Sequence, residues 1–276
     1  VEVAYHMARN AIIGITGSNG KTTTTTWVGR MMELAGVEAI VAGNIGVPLS
    51  EVVAEKAESD WIVCELSSFQ LKGTHAFRPK ISCVLNISET HLDYHGTMDD
   101  YISAKKQLVA QQHKDDIAVL NWDDPVCRAM AEETHARILP FSMDGPLDFG
   151  VYVHEGTIVI SGRADELGKE NEPEHFKGSY RHGLMETDEI VETDQTDEIN
   201  GTHETDVINE TDEINGISEM NVTNLNNETV EIDKINETNV NNEVVEVLPV
   251  DKIGLPGKHN VYNALAATAI AIAAGV

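Results

Sequence analysis

The stretch Gly14-Ile15-Thr16-Gly17-Ser18-Asn19-Gly20-Lys21-Thr22 does most to limit what this chain can fold into. An apolar run, Ala11-Ile12-Ile13, leads into it, and Lys21-Thr22 opens a segment that reads as a helix. Strand, glycine-rich turn and helix start are the plan of a phosphate-binding loop. Glycines let the backbone fold tightly so that its N–H groups face an anion. The helix start adds unsatisfied N–H groups and the positive end of a dipole. Gly17, Ser18, Asn19, Gly20, Lys21 and Thr22 form the cradle, with Thr23 beside it. Lys21 can reach outer phosphates, and the Thr22 hydroxyl can ligate Mg²⁺. The spacing departs from the general pattern at Ile15, where that pattern has glycine. The bland alternative is an ordinary strand-to-helix turn, and the flanking elements argue against it.

A length of 276 residues allows one large or two small domains. The net charge of −27 is unevenly placed: residues 186–246 hold nineteen Asp and Glu against Lys234. No basic surface for nucleic acid is expected. Cys64, Cys83 and Cys127 are scattered without a paired spacing, which fits a reducing cytoplasm. The longest apolar run, near Ala264–Ala274, is too short to span a bilayer. The chain opens on Val1-Glu2-Val3 and stops at Gly275-Val276, so both ends are expected to be cut from something longer.

After the loop, a helix is expected over Thr22–Ala35 with Gly36 as its C-cap. Strands follow at Val37–Ala42, Asp60–Cys64, Ile81–Asn86, Ile117–Asn121 and Arg137–Phe141. Helices are expected at Pro48–Ala57, Met98–Gln112 and Asp124–Glu133. Val151–Val153 and Thr157–Ile160 read as a hairpin. This alternation predicts an α/β fold: a mainly parallel, phosphate-loop-type sheet with helices on both faces and a small β-hairpin extension. Ligands on such sheets sit at the carboxyl ends of the strands. The loop, Asn44, Glu65 and His91 each follow a strand, so they are expected on one rim.

Residues 163–243 differ. Near-repeats recur: Glu186-Thr187-Asp188-Glu189-Ile190, Thr196-Asp197-Glu198-Ile199-Asn200-Gly201 and Glu210-Thr211-Asp212-Glu213-Ile214-Asn215-Gly216. Low hydrophobicity and one charge sign leave too little apolar surface to offset ordering entropy. A disordered acidic insertion is expected, with a small repetitive β structure as the alternative. Sequons at Asn200, Asn209, Asn221, Asn227 and Asn236 are explained by Asn/Thr-rich composition, and His175, His182 and His203 read as solvated. Regular structure resumes near Val244–Leu248. An Ala-rich helix, apolar on most faces and therefore packed inside a larger body, runs to Ala274.

Phosphoryl transfer needs an anion cradle, one or two Mg²⁺ and positioned reactants. Mg²⁺ takes hard oxygen ligands. Glu65, at the end of a buried strand, is the best single candidate; a capping or solvated carboxylate is its alternative. His91 is a softer ligand and reads equally as a polar strand-end residue. Lys105, on a helix, is a cation and would serve a metal only as a carbamate.

Six motifs occur in order. They are Gly17–Thr22, Gly43-Asn44-Ile45-Gly46, Glu65-Leu66-Ser67-Ser68-Phe69-Gln70-Leu71, His91-Leu92-Asp93, Tyr101 with Ala104-Lys105, and Pro256-Gly257-Lys258-His259-Asn260 with Asn263-Ala264-Leu265-Ala266. Together they resemble the central ATP-binding domain of the Mur ligases, over 1–162 and 244–276. The run Glu65–Leu71 resembles the branch that adds D-glutamate to UDP-N-acetylmuramoyl-L-alanine. The resemblance implies ATP and Mg²⁺ as cofactors. Lys21, Lys105 and His91 would be catalytic, and Thr22, Glu65, His91 and a carbamylated Lys105 would hold metal. Asn260 and Asn263 would contact adenine, and Asn44, Ser67 and Gln70 the substrate. It further implies a cytoplasmic monomer acting on small molecules, with a nucleotide-sugar domain before residue 1 and another domain after 276. A folylpolyglutamate-type or other Mur-type ligase, and a non-catalytic nucleotide-binding scaffold, are the competing readings.

Overall fold

A computed structural model describes residues 1–54, 61–162 and 244–276. The acidic repeats, their sequons and His175, His182 and His203 lie outside the described residues, as does the segment 55–60.

A short helix α1 (Glu2–Met7) precedes β1 (Ala11–Thr16), and the glycine-rich turn passes into α2 (Lys21–Leu34). Then come β2 (Ala39–Gly43), α3 (Leu49–Ala54), β3 (Trp61–Glu65), α4 (Ser68–Lys72) and β4 (Ile81–Val84). Next are α5 (Leu92–His95), α6 (Met98–Ala110), β5 (Ile117–Asn121), α7 (Pro125–Ala129) and β6 (Arg137–Ser142). β7 (Gly150–His154), β8 (Thr157–Ser161), β9 (Val244–Pro249) and α8 (Lys258–Ala273) complete the described elements.

The described strands form one sheet in the order β2-β3-β1-β4-β5-β6-β7-β8-β9. Pairing is parallel from β2 to β7, and β8 and β9 continue it antiparallel. The expected hairpin is therefore part of the main sheet. Its two-residue turn places Glu155 at φ 48° and Gly156 at φ 79°, the left-handed pair that matches strand twist in a tight hairpin.

Each buried strand sends alternate side chains to opposite faces. Ile13, Ile15 and Val63 pack under α2 and α8, with Val28, Met32, Leu265 and Ile270. Ile12, Ile62 and Cys64 face α1, α3, α4, α6 and α7, with Ala4, Val52, Leu71, Leu108 and Cys127. Strands covered on both faces read as unbroken apolar runs, which is why β3 is legible as Trp61-Ile62-Val63-Cys64. It extends one residue further than expected, so Glu65 is its last member. The helix after β2 begins at Leu49, and that after β5 is a short α7 followed by a 3-10 turn at Met130–Glu132. The short helices α4 and α5 were not expected. α8 is buried along most of its length, as its composition requires. Among the described residues no helix is long and apolar enough to cross a membrane.

The order in which strands are added reverses at β1: β2 and β3 lie to one side of it and β4 to β6 to the other. The crevice beyond the carboxyl ends of β1, β3 and β4 is thus the place where such a sheet takes ligands.

Candidate active site

The turn after β1 is shaped by what surrounds it. Gly17 is buried so close to Leu85 that a Cβ would lie 2.9 Å from the leucine Cβ. Gly20 is left-handed (φ 82°), and a side chain there would run into the Asn263 amide. Its neighbours are tied to the loop after β4. The Ser18 N–H donates to the Asn86 carbonyl (2.9 Å) and the Asn19 N–H to Asn86 Oδ1 (2.9 Å). Asn86 Nδ2 returns a bond to the Asn19 carbonyl (3.1 Å). The Ser18 hydroxyl accepts from the Ser88 N–H (2.8 Å). The first bond into α2 runs from the Thr24 N–H to the Gly20 carbonyl (3.0 Å), so the amides just ahead of it are those a helix start presents to an anion. Lys21 Nζ lies over the loop and donates to the carbonyls of Gly17 (3.2 Å) and Ser18 (3.1 Å).

Glu65 ends β3 with 1% of its surface exposed. Oε2 accepts from the Thr22 hydroxyl (2.9 Å) and Oε1 from Asn44 Nδ2 (3.0 Å). Asn44 reaches it because Gly43 (φ 107°) lets the end of β2 press against the Glu65 backbone, where a Cβ would collide. The Asn44 N–H then donates to the Glu65 carbonyl (2.9 Å). Residues from three strand ends thus converge on one carboxylate beside the phosphate loop. Thr22 Oγ1 and Glu65 Oε2 are two adjacent hard oxygens, the donor type Mg²⁺ prefers. Among the described residues no three His, Cys, Asp or Glu side chains gather into a metal site. A Mg²⁺ here would take its other ligands from phosphate and water, as this ion commonly does.

Lys105 is buried beneath the loop, 1% exposed. Nζ donates to Thr16 Oγ1 (3.1 Å) and the Gly17 carbonyl (2.8 Å) and lies 4.9 Å from the centre of the Tyr101 ring. Burial, seconded by the Lys21 charge, lowers its pKa from 10.5 to about 7. A buried amine that sheds its proton near neutrality is the form able to attack CO₂, so the residue suits the carbamate expected of it.

His91 stands exposed after β4 at φ 56°, edge-on to Phe69 (5.1 Å). Among the described residues no hydrogen bond joins it to Glu65, Thr22 or Asn44. Ser67 and Gln70, expected at the substrate, form the capping box of α4. Ser67 Oγ accepts from the Gln70 N–H (3.3 Å), and Gln70 Oε1 accepts from the Ser67 N–H (2.9 Å). The Ser-x-x-Gln spacing is itself the signal of such a box. Asn260 and Asn263, expected at adenine, are buried. Asn263 Nδ2 donates to Asn260 Oδ1 (3.2 Å), and Asn260 Nδ2 to the Pro256 carbonyl (2.9 Å). Asn263 thereby backs the loop at Gly20. Asn86, Ser88 and Tyr101 were missed as site residues, although Tyr101 lies in a recognised motif. Its hydroxyl is 2.9 Å from Ser18 Oγ.

The profile of the family described as Mur ligase middle domain matches residues 15–165. The UDP-N-acetylmuramoylalanine–D-glutamate ligase of Bacillus pumilus is 50% identical over 158 residues, 57% of this chain and 35% of that protein. The enzyme of the same name from Bacillus subtilis is 47% identical over 164 residues, 59% of this chain and 36% of that protein. The chain thus spans little more than a third of the length of these relatives. A crystal structure of MurF from Acinetobacter baumannii superposes with a TM-score of 0.53 at 18% identity, covering 99% of this chain and 45% of that one, a likeness of fold.

Proposed function

The chain belongs to the Mur ligase family through its middle domain, and from that premise we propose that it is the ATP-handling part of an amide-forming ligase. The reaction is the joining of D-glutamate to UDP-N-acetylmuramoyl-L-alanine in peptidoglycan precursor synthesis. A free carboxylate is a poor electrophile. Transfer of the γ-phosphoryl group of ATP to the acceptor carboxylate releases ADP and gives an acyl phosphate. The amine of D-glutamate attacks the acyl carbon, the carbon–oxygen bond to phosphate breaks, and the amine proton passes to solvent.

The observation that carries this reading is the Glu65 carboxylate, held between Thr22 of the phosphate loop and Asn44 of the next strand end. Thr22 and Glu65 would hold a Mg²⁺, which would supply charge neutralisation for the phosphates. Lys21 exchanges the loop carbonyls for phosphate oxygens, and the amides at the start of α2 hold the same anion. A carbamylated Lys105 would support a second Mg²⁺, and His91 would help to hold the metals once they are bound. Asn260 and Asn263 lie on the adenine side, and Asn44, Ser67 and Gln70 on the acceptor side.

We take 1–162 and 244–276 as one discontinuous domain and 163–243 as an insertion in it. The pairing of Ser161 with Val244 supports this. We place the protein in the cytoplasm as a monomer, acting on small molecules rather than nucleic acid or membrane. The three free, buried cysteines suit that compartment.

Calorimetric titration with ATP, with and without Mg²⁺, tests the assignment. Binding is expected to be saturable and Mg²⁺-dependent, and Glu65→Gln is expected to weaken the Mg²⁺-dependent part about tenfold, the loss of roughly one charged contact. Unchanged Mg²⁺ dependence in that variant contradicts the role of Glu65. Ligation by the chain alone is expected to be undetectable, since it spans about a third of its relatives' length; turnover at the rate of a complete ligase would overturn that.

A further inference from the structure

Ser68, His95 and Asp100 form a hydrogen-bonded relay beside the phosphate loop. Ser68 Oγ lies 2.9 Å from His95 Nε2, and His95 Nδ1 lies 3.0 Å from Asp100 Oδ2, which also accepts from Lys72 Nζ (2.7 Å). This is the bonding order of a hydrolytic triad. Burial separates it from one: Ser68 is 2% exposed and the His95 side chain 0%. An acyl group has no route to the serine oxygen, so the arrangement needs another explanation.

The relay joins three short stretches that each carry part of the site. Ser68 begins α4, three residues past Glu65. His95 closes α5, the helix that His91 opens. Asp100 lies one residue before Tyr101 on α6, which also carries Lys105. An ionised carboxylate only accepts, so Asp100 fixes the proton on Nδ1 and leaves the Nε2 lone pair to take the Ser68 hydroxyl. The ring is then held at both nitrogens. Phe69 stacks on it at 5.7 Å, and Tyr101 meets it edge-on at 5.3 Å. Tyr101 in turn bonds Ser18 of the loop and lies against Lys105.

We propose that His95 is a positioning residue: held by Ser68 and Asp100, its ring seats Tyr101, and Tyr101 holds Ser18 of the phosphate loop and Lys105 beneath it. The link to nucleotide binding rests on the function proposed above; the link to loop geometry does not.

The test is a double-variant cycle in the full chain, using His95→Phe, which keeps a ring and loses both bonds, and Tyr101→Phe, which loses only the hydroxyl. The readouts are Mg·ADP affinity and hydrogen exchange of the Ser18 and Asn19 amides, both bonded to Asn86. Each single variant is expected to speed exchange at these two amides, and to weaken Mg·ADP, about tenfold, the coupling typical of one hydrogen-bond network. The double variant is expected to be no worse than His95→Phe alone. A role limited to packing would spread faster exchange over the whole of α4–α6 and give additive effects. Additivity, or unchanged exchange at Ser18 and Asn19 in a folded His95→Phe, overturns the proposal. If His95→Phe does not fold, Ser68→Ala replaces it, with the same expected non-additivity and the same contrary result. Labelling of Ser68 by a fluorophosphonate probe also overturns it, because Ser68 would then be an accessible nucleophile. A wild-type chain that binds no Mg·ADP removes the proposed function, while the exchange cycle still decides for or against His95.

Discussion

Lys105 couples the stability of the fold to pH. The folded chain holds its pKa near 7 against an ordinary 10.5, chiefly through burial. Between those values the unfolded chain binds the extra proton and the folded chain does not. Linkage then makes stability rise with pH across that window. Below about pH 7 the cost of a buried ammonium is fully present, and above about 10.5 it is gone. Lys105→Met is expected to flatten the stability profile from pH 7 to 10, read by urea unfolding at several pH values; an unchanged slope would show that the proton is held elsewhere. The same depressed pKa would favour the carbamate proposed for Lys105, since the neutral amine is the form that reacts with CO₂.

At the scale of elements, the loop is a composite of distant chain segments. Asn86 uses both ends of its amide on Asn19, 67 positions away. Asn86→Ala is expected to cost about 1 kcal/mol, the net worth of a typical hydrogen bond, read as a lower unfolding midpoint together with faster exchange at the Asn19 amide. Such a pairing has no local sequence signal, which is why Asn86 was not recognisable beforehand. The parallel strands were recognisable, because burial on both faces leaves an unbroken apolar run, as in Ile117–Leu120. So was the rim that gathers Thr22, Asn44 and Glu65, because strand-to-helix alternation places those positions together. The helices α4 and α5 were not. At five and four residues they show no period, and they depend on the Ser67–Gln70 cap and on the left-handed His91. The Ser67-x-x-Gln70 capping box lies within the Glu65–Leu71 motif, so the same residues carry two signals.

Across the whole molecule, a sheet and its covering helices are assembled from chain segments on either side of residues 163–243. Ser161 and Val244 are directly paired in antiparallel register, so these two described strand ends lie one strand spacing apart. Replacing 162–243 by Asn-Gly, a two-residue turn suited to antiparallel strands, is expected to preserve cooperative melting and Mg·ATP binding. Loss of folding would show that the removed residues belong to the domain. α8, which follows, packs with α2 over the same face of the sheet and sets Asn263 against Gly20. Early and late segments of the described chain, at Gly20 and Asn263, thereby meet at the phosphate loop.

We propose above all that Gly17–Thr22 holds the phosphates of ATP. Calorimetric titration of Mg·ATP into the wild-type chain and into Lys21→Ala measures it directly. Saturable binding in the wild type, weakened at least about tenfold in the variant by loss of a charge-assisted contact, is the predicted result. Absence of binding in the wild type, or equal affinity in the two proteins, would contradict it.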